Sequence, residues 1–329
     1  MGPALSPGQR VGKYRITSRL GSGGMGVVYE AEHFYLDRTV ALKVLSHEAI
    51  SDPASELRFI LEARAQAKLD HAHVLPIYDA DNVDGVAFIA MKLVRGHDLS
   101  VRLRQEGPME PRPALQHLSQ IASALDAAHA RGLVHRDIKP GNILVDSTAL
   151  VAPGISHLYL ADFGLARDLE RASLTPIGAV MGTLAYMAPE QLQGQRAGTP
   201  ADIYALALML YEALTGVRPS PGLRGWDAIP PLRGPLSQLN SPLAQGLAAD
   251  PARRWSTSAE MIQACAVALG MRQPGGTKEP ASSTRKPFFA GRRREPRQAI
   301  APGSARNHSQ PFDFSTGMMQ FHPQNSGWG

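Results

Sequence analysis

Two stretches near the start of the chain have residue types that could handle a nucleotide. Leu20-Gly21-Ser22-Gly23-Gly24-Met25-Gly26-Val27-Val28 contains the pattern Gly-x-Gly-x-x-Gly-x-Val. Glycine lets backbone approach a phosphate closely, because no Cβ stands in the way. Taken alone, such a run also describes an ordinary glycine-rich turn. A dinucleotide-binding loop would need a helix directly after the glycines, whereas Val27-Val28-Tyr29 reads on as a strand. Lys43 then closes the apolar run Val40-Ala41-Leu42. It is either a solvated strand end or, behind a glycine loop, a cation for phosphates. The second role needs an anionic anchor, and Glu62 in Leu61-Glu62-Ala63-Arg64-Ala65 is placed for it; otherwise it is a surface glutamate.

The most specific signal is Val134-His135-Arg136-Asp137-Ile138-Lys139-Pro140-Gly141-Asn142-Ile143-Leu144. Asp162-Phe163-Gly164 stands twenty residues beyond Asn142. Gly182-Thr183, Ala188-Pro189-Glu190, Asp202 and Asp250-Pro251-Ala252-Arg253-Arg254 follow in order. With these residues the chain resembles the eukaryotic-type (Hanks-type) protein kinases, in particular their bacterial serine/threonine branch, over residues 11–270.

The resemblance implies an α+β, two-lobed protein kinase fold. A small β-rich N-lobe with one helix would span 11–94, and a larger helical C-lobe 95–270. It implies transfer of the γ-phosphoryl group of ATP to serine or threonine hydroxyls of proteins, this chain included, with ATP and Mg²⁺ as cofactors. Such chemistry is mostly positioning and charge neutralisation. Asp137 would accept or orient the hydroxyl proton, Lys139 would steady the γ-phosphate, and Lys43 would grip the α- and β-phosphates under the anchor Glu62. Asn142 and Asp162 would hold Mg²⁺, a hard ion that prefers oxygen ligands. Gly21, Gly23 and Gly26 would cover the phosphates. Met91 would be the gatekeeper of the adenine pocket. The Lys92 carbonyl and the Val94 amide would meet the adenine edge, and Leu20, Val28, Ala41 and Leu144 would sandwich the ring. Those four are equally plain core residues, and the pocket is part of the core. Lys139 and Thr183 point to serine/threonine specificity. Glu190 and Arg254 would form a buried ion pair, with Asp202 buried beside them as a structural group. Thr175 would be the regulatory phosphosite, its phosphate neutralising Arg136.

The chain departs from that pattern in four places. Lys92 stands where the family usually has an acidic hinge residue. Residues Val145 to Ala161 exceed the usual length, and the excess around Ser147–His157 is expected to lengthen a hairpin behind the hinge. Asp202 to Arg254 is short, which implies a shortened helix-G region in the Pro- and Gly-rich stretch Gly216–Asn240. Gln66 stands four residues after Glu62, where apolar or small residues are usual.

The elements that must position these groups are readable from pattern. Tyr14–Leu20 and Gly26–Glu32 flank the glycines as a hairpin, and Thr39–Leu45 adds a strand. Val74–Tyr78 and Val86–Leu93 read as two more. Ser51-Asp52-Pro53 starts a helix over Ala54–Leu69, with Leu57, Ile60, Leu61 and Leu69 on one side. Leu115, Leu118, Ile121, Ala122 and Leu125 recur at helical spacing. Ala201–Thr215 is apolar nearly all round, as in a helix buried in a large core.

Bulk properties narrow the setting. Cys265 is the only cysteine, so no internal disulfide forms and a reducing, cytoplasmic location is expected. No apolar run reaches the ~20 residues of a membrane span. The net charge of +5 is uneven: residues 271–329 hold nine Lys or Arg against three Asp or Glu, and residues 1–270 hold 25 against 26. The high pI thus belongs to the tail, and no nucleic-acid partner is expected. Twenty of the 59 tail residues are Pro, Gly or Ser, which reads as a disordered basic tail. Its aromatics, Phe312-Asp313-Phe314 among them, make it a candidate docking peptide for a protein partner.

Overall fold

A computed structural model of the chain describes residues 5–23, 26–46, 53–163, 184–220, 225 and 229–271. The segment bearing Ser173, Thr175 and Thr183, and the tail beyond Met271, lie outside the described residues.

The first part is an antiparallel sheet of six strands: β1 (Arg10–Val11), β2 (Tyr14–Gly23), β3 (Gly26–His33), β4 (Arg38–Leu45), β5 (Ile77–Val83) and β6 (Val86–Lys92), in the order β1-β2-β3-β4-β6-β5. Gly21 and Gly23 end β2 and Gly26 begins β3, with Gly23 opposite Gly26. Gly26 has φ of +154°, and a Cβ there would lie 2.0 Å from the Val44 carbonyl oxygen, so only glycine lets β3 begin against β4. Register then puts Val28 opposite Lys43 and Ala41 opposite Met91. The fourth expected strand is corrected: pairing covers Ile77–Val83, while Val74 makes an isolated parallel bridge to Leu160. The true strand carries Tyr78-Asp79-Ala80-Asp81-Asn82 because it is an edge strand, paired on one side only.

Helix α1 (Pro53–Ala67) packs on this sheet through Phe59 and Ala63, against Leu45, Ala87 and Ile89. Its expected apolar face is corrected in part: Ile60 packs on the sheet and Leu69 is buried. Leu57 and Leu61 are 58% and 51% exposed, while Gln66 is buried on the inward side at 3%. Phe59, Ala63 and Gln66 are spaced by four and three residues, one side of a helix.

The second part is helical. It contains α2 (Leu99–Glu106), α3 (Pro111–His129), α4 (Pro189–Leu192), α5 (Thr199–Thr215), α6 (Asn240–Gly246) and α7 (Ser258–Ala268). Asp98 caps α2 by accepting from the Val101 amide at 3.0 Å. Every residue of α5 from Ala201 to Tyr211 is buried. The helix ends at Gly216, in the left-handed conformation with φ of +70°. The next regular element among the described residues is the 3₁₀ turn Gly234–Leu239.

Between the two parts lies a small sheet, β7 (Gly96–Asp98), β8 (Ile143–Ala152) and β9 (Ile155–Leu160). The surplus residues form the far end of the β8–β9 hairpin, with Gly154 at its turn (φ +73°). Among the described residues no helix is long and apolar enough to cross a membrane.

Candidate active site

The loop between α3 and β8 brings three expected site residues together on one carboxylate. Asp137 Oδ2 accepts from Lys139 Nζ at 2.7 Å and from Asn142 Nδ2 at 3.0 Å; Asn142 also donates to the Asp137 carbonyl at 2.7 Å. The 3₁₀ turn Pro140–Asn142 sets Asn142 back toward Asp137. Arg136 is in the left-handed region at φ +68°, a strained conformation for a non-glycine residue.

Groups from three helices hold that conformation. Asp202, fully buried in the first turn of α5, accepts from the His135 amide at 2.8 Å and the Arg136 amide at 2.7 Å. His129, at the end of α3, places Nε2 2.8 Å from the same carboxylate. Gln191 of α4 donates to the Arg136 carbonyl at 3.2 Å. Arg136 Nε is buried, and among the described residues nothing accepts from it.

His135 lies beneath the loop and not at the reacting face. Its ring is buried against Phe163, 4.7 Å between centroids. Nδ1 accepts from the Asp137 amide at 3.3 Å, which makes Nε2 the protonated nitrogen, donating to the Ala161 carbonyl at 2.9 Å. Burial holds its pKa below the ordinary histidine value, so the ring is neutral and this tautomer is fixed.

Across the cleft, Lys43 of β4 meets Asp162 at 2.8 Å. Asp162 has φ of +58°, a second left-handed non-glycine residue. Withdrawal from water pushes its carboxyl up, but the Lys43 ammonium, its hydrogen bond and Lys139 together hold it below the usual carboxylate range. Among the described residues Lys43 forms its ion pair with Asp162. The inward face of α1 presents Gln66, which with Lys43, Asp162 and Met91 lines a cavity of about 10 Å³, while Glu62 sits half-buried in a contact of its own.

The expected adenine residues gather between the two parts. Met91, Val94 and Leu144 pack on Leu75, Tyr159 and Ala161. Ala41 is buried opposite Met91, Val28 is half-buried, and Leu20 stands 46% exposed at the mouth. A Cβ at Gly21 or Gly23 would meet nothing within 4 Å among the described residues. Among the described residues no cluster of three His, Cys, Asp or Glu could hold a metal. A hard ion such as Mg²⁺ needs fewer protein ligands when phosphates complete the shell. The Asp162 carboxylate and the Asn142 amide oxygen have the right chemistry, since Asn142 Nδ2 is already engaged by Asp137.

Glu190 of α4 and Arg254, just past the 3₁₀ turn Pro251–Arg253, form a bidentate buried pair. Sequence reasoning missed His129, Gln191, Tyr159 and Asp146. None lies in a motif quoted above, and only the surplus length around Ser147–His157 hinted at the last two.

Comparison with known proteins agrees with this arrangement. Residues 14–230 match the protein kinase domain. The chain is 39% identical over 277 residues to the serine/threonine-protein kinase PknE of Mycobacterium tuberculosis, covering 80% of this chain and 47% of the relative. It is 40% identical over 274 residues to PknH of Mycobacterium bovis, covering 80% and 45%. The chain thus spans about half the length of the curated relatives it matches. A crystal structure of the Mycobacterium tuberculosis PknI kinase domain superposes with a TM-score of 0.65 at 32% identity, covering 80% of this chain and all of that one.

Proposed function

The chain belongs to the protein kinase family, and we propose that it transfers the γ-phosphoryl group of ATP to serine and threonine hydroxyls of proteins. The observation that carries this is the convergence of Lys139 and Asn142 on the Asp137 carboxylate, across the cleft from Lys43 and Asp162.

In this reading Asp137 takes or orients the hydroxyl proton of the substrate, and its two donors keep the carboxylate ionised and aimed. Lys139 moves with the γ-phosphoryl group and offsets its charge. Asp162 and Asn142 would hold Mg²⁺, which would supply neutralisation of the phosphate charge. Lys43 leaves Asp162 for the α- and β-phosphates and takes Glu62 as its anchor, which requires α1 to shift. Gly21, Gly23 and Gly26 close over the phosphates through backbone amides. Leu20, Val28, Ala41 and Leu144 hold the adenine ring, with Met91 at the back and the Lys92 carbonyl and Val94 amide at its edge. Residues 11–94 and 95–270 act as the two lobes.

Regulation is assigned to Thr175. Its phosphate would bring about −1.5 to −2 charges beside Arg136 and form charge-assisted hydrogen bonds. Autophosphorylation supplies it. The tail carries a docking peptide for a protein partner around Phe312-Asp313-Phe314. The reaction is assigned to the cytoplasm, consistent with Cys265 as a free buried thiol.

The test is incubation of the purified chain with γ-labelled ATP, Mg²⁺ and a generic serine/threonine peptide, followed by phosphopeptide mapping. Label on the peptide and on Thr175, with Thr175→Ala markedly slower, supports the reading. Absence of transfer contradicts it, and full activity with Thr175 unmodified removes the switch.

A further inference from the structure

One departure from the family pattern meets the base of the lengthened β8–β9 hairpin. Lys92, the basic hinge residue, turns its side chain away from the cleft onto the lengthened β8–β9 hairpin. Its ammonium hydrogen-bonds the Tyr159 hydroxyl, lies 4.3 Å from that ring's centroid, and is 4.0 Å from Asp146 Oδ2. Asp146 is buried and held in place, since its Oδ1 accepts from the Thr148 amide at 2.9 Å and the Thr148 hydroxyl at 2.6 Å. The Tyr159 and His157 rings meet at a tilt, 4.4 Å between centroids, as do those of His157 and His73 at 4.6 Å. His157 Nε2 donates to the Ala72 carbonyl at 2.9 Å, and His73 Nδ1 to the Leu158 carbonyl at 3.1 Å. The hairpin is therefore fastened both to the segment preceding β5 and to the hinge.

Tyr159 also belongs to the cluster that carries the expected adenine residues. It packs with Leu75 and Ala161 beneath Met91, Val94 and Leu144. The Lys92 amide donates to the Pro76 carbonyl at 2.9 Å, so the hinge backbone is gripped from the same side. A hydrogen bond to a charged group is stronger than a neutral one. Lys92 thus links the hinge backbone to the pocket through a charged hydrogen bond to Tyr159.

We propose that Lys92 is a positioning residue for the nucleotide. Clamped by Tyr159 and Asp146 of the lengthened hairpin, it fixes the hinge backbone that reads adenine relative to the pocket floor at Leu144. The proposal rests on the kinase reading above. It assigns the base of the β8–β9 hairpin a role in nucleotide affinity.

The test uses the full chain, with Lys92→Met, Tyr159→Phe and the double variant. MgADP affinity is read by calorimetry, and kcat and KM for ATP and a generic peptide are read by phosphotransfer. Couplings carried through a packed network modulate binding by roughly 0.5–2 kcal/mol, so each single variant should weaken MgADP and raise the ATP KM about tenfold. The kcat and the peptide KM should change far less. The double variant should be no worse than the weaker-binding single, since both remove one contact. Tyr159→Phe keeps the core packing, so it tests the contact even if Lys92→Met folds poorly. Two singles that bind MgADP within about twofold of wild type overturn the proposal. So does an additive double, or a loss confined to kcat. A wild-type chain that binds no MgADP overturns the kinase reading together with the proposal.

Discussion

Arg254 and Glu190 face one another through two parallel hydrogen bonds, Nη1 to Oε1 at 2.7 Å and Nη2 to Oε2 at 2.8 Å, with the guanidinium fully buried. The remaining donors are also used: Nε reaches the Ala248 carbonyl and Nη1 the Pro200 carbonyl, both at 2.9 Å. Tyr204 lies 4.9 Å beneath the cation. The pair joins α4 to the loop before α7, and α4 in turn holds the Arg136 carbonyl through Gln191.

Removing one partner leaves the other charge buried without compensation, a loss of roughly 3–5 kcal/mol. Arg254→Ala should therefore lower the midpoint of chemical denaturation by a corresponding amount and reduce activity with it. Arg254→Lys keeps the charge but not the fork, and should fall between. An Arg254→Ala denaturation curve that overlays wild type would refute the structural role of the pair.

Gln66 presents the opposite case, a buried polar group poorly served. Its Nε2 donates to the Leu75 carbonyl over a long 3.3 Å, and among the described residues nothing meets its Oε1. An unmet buried acceptor costs about 1–3 kcal/mol, whereas a weak neutral hydrogen bond contributes about 1 or less. Gln66→Leu should stabilise the chain by roughly 1 kcal/mol in denaturant titration. The same change should favour the position of α1 that brings Glu62 to Lys43, visible as a faster phosphotransfer rate before Thr175 is modified. A clear loss of stability would mean that the Leu75 hydrogen bond outweighs the unmet oxygen.

Acid should weaken the fold in a definite window. Burial lowers the pKa of His117 and His135 below the free value of 6.5, and that of His73 as well. The unfolded chain then binds protons first as pH falls through 6.5, so stability drops from there down to the folded values. Each fully buried ring contributes a slope of at most about 1.4 kcal/mol per pH unit. Asp162 and Asp146 are depressed too, and their contribution is lost only at lower pH, below 3.8. Melting temperatures should therefore fall steadily from pH 7 to 5. A flat or rising profile over that range would contradict neutral buried histidines.

The motif residues and the strands around the glycine loop were legible because both are local. Alternation marks β2, β3 and β4, and the loop from His135 to Asn142 needs its residues in a fixed order. Three things were not legible, each for a tertiary reason. The β5 sequence is polar because an edge strand has one unpaired side. The inward face of α1 follows Phe59, Ala63 and Gln66, and a buried glutamine defeats a reading by hydrophobicity. The partner of Lys43 depends on where α1 sits, which no spacing along the chain records. The Lys92–Tyr159–Asp146 cluster showed in sequence only as two separate oddities.

The central claim is that Asp137 carries the proton step of phosphoryl transfer, and the most direct measurement compares γ-phosphoryl transfer by wild type and Asp137→Asn. Asparagine keeps the shape and one acceptor for Lys139 and Asn142, so the fold and MgADP binding should persist. Losing the carboxylate should cut kcat by ~10²–10⁴ or more. An Asp137→Asn enzyme that keeps a wild-type melting curve and falls by that factor is the predicted result. One that retains a tenth of wild-type transfer would contradict the account.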